Sequence, residues 1–125
     1  MSTVMQTAEQ LVNLCRAGDY DKAIDALYSP QIESVEPAEM PGHPIRMKGI
    51  EAARAKLQMF LNDNEVHGGE ILGPFPHCDN RFAVYFKFDV TPKQTGQRMT
   101  MDEVGIYTVV DGKIVKEEFF FQTPG

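Results

Sequence analysis

The chain has few cysteines, no tryptophan and no excess of basic residues. Two cysteines in 125 residues are too few for a disulfide scaffold or a cysteine-rich metal site, so we expect a protein of the reducing cytoplasm. Lysine and arginine number 12 against 18 acidic residues, and the net charge of −6 argues against nucleic acid and anionic membranes as partners. We expect no membrane span and no secretory signal, because long apolar runs and a basic N-terminal region are both missing.

Apolar residues recur with helical spacing in three segments of the first half of the chain. This spacing predicts amphipathic helices over residues 3–16, 19–29 and 50–62. Gly18 is placed to end the first helix, and Pro30 is expected to stop the second. The length of the chain predicts one domain that contains all of these elements, residues 1–125.

Strand signals dominate the second half of the chain. A short strand is predicted over residues 31–37, followed by a loop rich in proline and glycine. Four longer strands are predicted over residues 67–75, 81–90, 98–110 and 113–121. Asp111-Gly112 joins the last two, and this dipeptide is a strong hairpin signal. Helices followed by a run of strands predict an α+β fold, with the helices on one face of a mostly antiparallel sheet.

A curved sheet of this kind makes Glu103 a candidate for proton chemistry. Helices packed across the concave face of a twisted sheet leave a conical cavity at the open end. Glu103 alternates with Met101, Gly105 and Tyr107 and so shares a largely apolar strand face. Burial on that face would raise the pKa of the carboxyl group, which suits a general acid near neutral pH. The alternative is that Glu103 faces solvent or a dimer partner.

Glu36 and His67 are two further candidates. Glu36 precedes a loop and could reach the mouth of the cavity as a base, or it could be one of three solvated charges with Glu33 and Glu39. His67 lies beside two glycines that permit close approach of a ligand, and it could polarise a carbonyl group or shuttle a proton. A purely structural histidine is the alternative. The histidines lack metal-ligand spacing, so we expect no metal site.

Three stretches of the sequence resemble the SnoaL-like branch of the nuclear transport factor two/ketosteroid isomerase superfamily. They are LCRAGDYDKAIDALYSPQIESVEP, KGIEAARAKL and EVGIYTVVDGKIVKEEFFF, and the similarity covers nearly the whole chain. The resemblance implies a cone-shaped, cystatin-like fold in which three N-terminal helices pack on the concave face of a curved sheet. It also implies a deep apolar pocket and a homodimer formed through the outer face of the sheet.

The resemblance further implies roles for individual positions. Glu36, followed by proline, stands where ketosteroid isomerases carry their general base. Glu103 lies nearest in the sequence to the position at which the family carries a protonated carboxylic acid. Leu11 stands where the family has a tyrosine, and a leucine cannot donate a hydrogen bond to an enolate, so steroid-type isomerisation is not expected.

Together these features predict a cofactor-free enzyme that acts on a small, apolar, carbonyl-bearing molecule. Glu36 and Glu103 would move protons, assisted by His67, in an isomerase, cyclase, dehydratase or hydrolase reaction. The alternative is a non-catalytic module that binds a hydrophobic ligand or supports dimerisation. Phe119, Phe120 and Phe121 cannot all face inward on one strand, and a homodimer is the simplest cover for an outward phenylalanine.

Overall fold

The structure is a computed structural model that describes residues 3–39 and 44–121. Residues 40–43, which belong to the predicted loop, lie outside the described residues. The helices and strands are α1 Val4–Arg16, α2 Tyr20–Leu27, β1 Tyr28–Val35, β2 Arg46–Lys48, α3 Ile50–Asp63, β3 Asn64–His77, β4 Arg81–Pro92, β5 Met99–Val110 and β6 Lys113–Phe120. No helix in the described part of the chain is long and apolar enough to cross a membrane.

The strands form one sheet in the order β2-β1-β6-β5-β4-β3. The neighbours β1 and β6 run parallel, and every other neighbouring pair is antiparallel. Long antiparallel strands twist, and the sheet therefore curves around the helices. The predicted α+β fold, with helices on the concave face of a curved and mostly antiparallel sheet, is confirmed.

The core lies between the helices and the concave face of β4. Every second residue of that strand from Phe82 to Val90 is buried, with at most 8% of any of these side chains exposed. The apolar stripe of α1 packs against this face, and Cys15 is one of its buried residues, as its helical spacing predicts. At the start of α1, Thr3 and Gln6 form a reciprocal capping box that satisfies free backbone N–H groups.

Two local predictions were wrong. Helix α2 ends at Leu27, and Pro30 lies inside β1 instead of stopping the helix. The pairing of β1 with β6 is interrupted between Tyr28 and Glu33, which is where a residue without an N–H group can be accommodated. The second difference is β2, which pairs with the edge of β1 inside the segment predicted to be loop.

The hairpin between β5 and β6 forms as predicted. Asp111 and Gly112 both have positive φ, 52° and 78°, which a type I′ turn requires at its two central residues. Val110 and Lys113 pair directly on either side of the turn. This hairpin brings the inward residues of β5 beside those of β6.

Candidate functional site

A cavity of about 330 Å³ lies between the helices and the concave face of the sheet. Its wall is largely hydrophobic because the apolar faces of the helices and of the long strands meet there. The apolar wall residues include Leu11, Ile24, Leu57, Phe60, Phe86, Phe88, Met101 and Phe119. The volume suits a small organic molecule. The chemistry of the cavity therefore depends on the few titratable side chains that interrupt this wall.

Five polar side chains bond to one another beside the cavity; they come from β1, from the residue that follows it, from α3 and from β6. Glu117 accepts a hydrogen bond from the Tyr28 hydroxyl group and another from the Ser34 hydroxyl group, at 2.7 Å. The Lys56 ammonium group forms an ion pair with Glu36, donates to Ser34 and lies 4.0 Å from a Glu117 oxygen. Only 7% of Glu36 and 3% of Glu117 are exposed. Charged groups this deeply buried persist in proteins when they are paired, as they are here.

The electrostatics of Glu117 reflect a balance between burial and this pairing. Burial raises the pKa of Glu117, whereas the Lys56 ammonium group and the hydrogen bonds from Ser34 and Tyr28 lower it. The raising contributions dominate, so the pKa lies above the ordinary value of a glutamate. Burial, followed by the charge of Glu117, also raises the pKa of Tyr28 well above its usual value. Tyr28 is therefore a neutral hydrogen-bond donor to Glu117.

Glu117 faces inward because β6 contains a bulge. The pairing with β5 skips one residue between Ile114 and Lys116, so Val115 has no partner opposite it. An extra residue reverses the alternation of faces along the rest of a strand. Ile114 and Glu117 are consequently both buried, although they are three residues apart.

Glu103 lines the same cavity but has no bonded partner in the described part of the chain. Among residues 3–39 and 44–121 its carboxyl group makes no hydrogen bond or ion pair. Burial raises the pKa of Glu103 to about 7; Glu36 and Glu117 add to the rise, and Lys56 opposes it. A carboxyl group with a pKa near neutrality can both give and accept a proton at physiological pH.

The structure brings two of the three predicted site residues to the cavity. Glu36 directly follows β1, and its side chain lines the cavity together with Glu103. His67 lies elsewhere: it is exposed on β3, with its Nε2 atom 2.7 Å from the Thr91 hydroxyl oxygen, and it is not part of the cavity wall. Its position gives no support to the predicted part in proton transfer. Leu11 belongs to the apolar wall.

Lys56 and Glu117 were missed as site residues at the level of the sequence. A signal for Lys56 was present, because it lies three residues after Ala53 and four before Phe60, and both line the cavity. A lysine on the apolar stripe of a helix indicates a buried partner of opposite charge. For Glu117 the bulge removed the signal, since alternation from Ile114 predicts that it faces outward.

The acidic side chains do not form a metal site in the part of the chain that the structure describes. No group of three or more histidine, cysteine, aspartate or glutamate side chains there could hold a metal ion. Glu36 and Glu117 use their oxygens on Lys56 and on hydroxyl groups instead. Glu103 lines the cavity without a bonded partner among the described residues.

The sequence matches the family model of the SnoaL-like domain over residues 1–121. The chain belongs to the SnoaL-like family. The match covers the helices, the sheet and the cavity residues described above, and it confirms the resemblance found in the sequence. None of the proteins with a curated description matches the chain.

Solved structures share the fold at different levels of sequence identity. A protein from Mesorhizobium loti, provisionally named a SnoaL-like polyketide cyclase and also carbohydrate phosphatase, is 42% identical with a TM-score of 0.88, covering 96% of this chain and 100% of that one. TerC, co-crystallized with polyporic acid, is 21% identical with a TM-score of 0.73, covering 97% and 92%. A protein with a cystatin-like fold from Xanthomonas campestris is 14% identical with a TM-score of 0.76, covering 98% and 92%. The last two show the fold alone.

Proposed function

We propose that this SnoaL-like protein is an enzyme that moves a proton next to the carbonyl group of a small apolar molecule. The observation that carries the proposal is the Glu103 carboxyl group, which is unpaired among the described residues and has a pKa of about 7 in a hydrophobic wall. Perturbed carboxyl groups in cavities are the groups that enzymes use as acids and bases. The volume and apolar lining of the cavity suit an uncharged organic ligand.

Glu36 and Glu103 have complementary parts in the proposed step. The Glu36 carboxylate, in its ion pair with Lys56, accepts the proton from the carbon beside the carbonyl group. Neutral Glu103 donates its proton to the carbonyl oxygen, while the electron pair of the broken C–H bond forms the C=C bond of an enol. The reverse step returns both protons. Isomerisation, cyclisation and dehydration reactions can all proceed through such an enol.

Two of the similar proteins support a small-molecule role. The relative from Mesorhizobium loti carries a polyketide cyclase name, and at 42% identity it shares the family as well as the fold. TerC shares the fold and was crystallized with polyporic acid. Both are consistent with a cavity that receives an organic molecule.

Deuterium exchange into an apolar ketone tests the proposal. Acetonaphthone is incubated with the protein in heavy water, and loss of the methyl proton signal is followed by NMR. We expect exchange faster than in buffer, with a rate that falls as pH rises through about 7, because the neutral form of Glu103 is then lost. Glu103→Gln should lower the catalysed rate about a hundredfold, since it removes the proton donor.

Asp102→Asn is the matched control, because Asp102 is adjacent to Glu103 but exposed on the opposite strand face. This variant should exchange the ketone as fast as the unmodified protein. A non-catalytic binding module would bind the ketone without accelerating exchange. Exchange no faster than in buffer, or equal losses in both variants, would contradict the proposal.

We also propose that two copies of the chain associate through the outer face of the sheet. Leu72 pairs with Tyr85, Tyr85 with Val104, and Val104 with Phe120, so these four side chains form a row across β3, β4, β5 and β6. Phe120 is 52% exposed and Leu72 is 38% exposed. A contiguous apolar row on the surface is typical of an interaction site, and the same row on a second copy would cover it.

A further inference from the structure

Some of the polar side chains that line the cavity are bonded to protein groups, and others, Tyr20 and Asp63 among them, have no such bond in the described part of the chain. Glu36, Lys56 and Glu117 are bonded to protein partners. The Glu103 carboxyl group and the Tyr107 hydroxyl group have no hydrogen-bond partner among residues 3–39 and 44–121. Every fully enclosed polar side-chain atom of the described residues has such a partner. These two unpaired groups must therefore be reachable from the open space of the cavity.

Gly105 allows the Tyr107 ring to lie along the strand toward Glu103. A Cβ atom at residue 105 would come within 2.9 Å of Cε2 and 3.1 Å of the hydroxyl oxygen of Tyr107, and within 3.2 Å of a ring carbon of Phe119. These separations are shorter than ordinary contacts between nonbonded carbon atoms. Only glycine leaves room for this placement of the ring, which is also stacked on Phe82 with centroids 5.1 Å apart.

The same geometry brings the two unpaired groups to one place. Glu103, Gly105 and Tyr107 share a strand face, and residues two apart are separated by about 7 Å along the strand. The Tyr107 hydroxyl group lies over Gly105, in the space that a side chain at residue 105 would fill, and so on the side of Tyr107 that faces Glu103 along the strand. One ligand atom in this part of the cavity can therefore contact both the hydroxyl group and the carboxyl group.

Both groups carry a proton under the same conditions. Burial, and then the charge of Glu117, raise the pKa of Tyr107 well above its usual value, so its hydroxyl group stays neutral. Glu103 is neutral below its pKa of about 7. Two neutral donors beside each other call for an acceptor on the ligand, since an unpaired donor in an apolar site is unfavourable.

We propose that Tyr107 and Glu103 donate hydrogen bonds to one oxygen atom of the ligand, so that the cavity selects ketones or aldehydes over hydrocarbons of the same shape. Gly105 acts as a positioning residue because it determines where the Tyr107 hydroxyl group lies. This inference rests on the proposed function, since it names the ligand chemistry of the same site. It assigns the oxygen-binding role to a tyrosine on β5, whereas the position implied by the family resemblance is occupied by Leu11.

The test compares acetonaphthone with ethylnaphthalene, which has nearly the same shape but lacks the carbonyl oxygen. We expect the unmodified protein to bind the ketone more tightly at a pH of about 6, where Glu103 is largely neutral. Tyr107→Phe should weaken ketone binding about five- to tenfold, the effect of one lost hydrogen bond, and leave hydrocarbon binding unchanged. The infrared carbonyl band of the bound ketone should move to higher frequency in this variant.

Tyr85→Phe is the matched control, because this tyrosine lies on the opposite face of the sheet and should change neither affinity nor band position. Equal affinity of the unmodified protein for the two probes, or failure of the ketone to bind, would overturn the inference. An unchanged carbonyl band and affinity in Tyr107→Phe would also overturn it, and the proposed function would stand if deuterium exchange still depends on Glu103. Selective ketone binding that depends on Tyr107 but is accompanied by no exchange would support this inference and contradict the proposed function.

Discussion

Replacing Glu103 by glutamine should stabilise the protein at alkaline pH. Glutamine has nearly the same shape as neutral glutamic acid but cannot ionise. In the folded protein the Glu103 carboxyl group lines an apolar cavity without a bonded partner in the described residues, so its charged form is poorly solvated. The substitution removes that unfavourable charge and leaves the wall of the cavity otherwise intact.

The magnitude follows from the pKa values of the two states. Burial raises the pKa of Glu103 from 4.5 to about 7. The folded state binds the Glu103 proton more tightly than the unfolded state does, so protonation of Glu103 favours folding. This contribution to the free energy of unfolding is complete below the unfolded pKa and is lost as pH rises through the folded pKa. A pKa difference of this size between the two states corresponds to about 3 kcal/mol in the free energy of unfolding. Glu103→Gln should therefore match the unmodified protein below a pH of about 4 and exceed its free energy of unfolding by about 3 kcal/mol above a pH of about 8.

Urea unfolding at a series of pH values measures this difference. Glu117 also has a raised pKa, but it is present in both proteins, so the difference between them isolates Glu103 and its coupling to nearby charges. Asp102→Asn should show no comparable pH-dependent gain. A difference between Glu103→Gln and the unmodified protein that is constant with pH, or that favours the unmodified protein at high pH, would refute the reasoning.

Two further predictions concern Lys56 and the outer face of the sheet. Lys56→Met removes the charge that opposes the rise in the pKa of Glu103, so an NMR titration of the carboxyl carbons should give this pKa above about 7. Lys87→Met, on the outer face of the sheet, should leave the pKa of Glu103 unchanged. A lower pKa of Glu103 in Lys56→Met would show that the assigned coupling is wrong. Phe120→Lys should raise the dissociation constant of the proposed dimer at least about tenfold in sedimentation experiments, whereas Met5→Lys on α1 should leave it unchanged. A purely monomeric unmodified protein would rule out the dimer.

Regular alternation made Glu103 predictable from the sequence. Along β5 no bulge interrupts the pairing with β4, so Met101, Glu103, Gly105 and Tyr107 stay on one face. Counting residues in twos was therefore enough to place the carboxyl group on the apolar side of the strand. The hairpin was predictable for a similar reason, since the backbone requirement of the turn is met by two adjacent residues.

Features that depend on contacts between distant segments were not predictable in this way. The bulge at Val115 is created by the register between β5 and β6, and it turns Glu117 inward. Strand β2 exists because it pairs with an exposed edge of β1, within a segment rich in proline and glycine. The ion pair between Lys56 and Glu36 joins a helix to the end of a strand 20 residues earlier in the chain. None of these pairings is specified by a local pattern.

The contrast between paired and unpaired carboxyl groups bears on why Glu103 is present at all. Glu36 and Glu117 have partners that offset the cost of burial, so their presence does not weaken the fold in the way that an unpaired carboxyl group does. Glu103 has no such partner among the described residues, and its ionisation opposes folding by about 3 kcal/mol, a large part of the ~5–15 kcal/mol that stabilises a typical domain. An apolar side chain at this position would pack against Phe86, its neighbour on β4, at no such cost. A residue that weakens the fold in the wall of a cavity is best explained by what it does to a ligand.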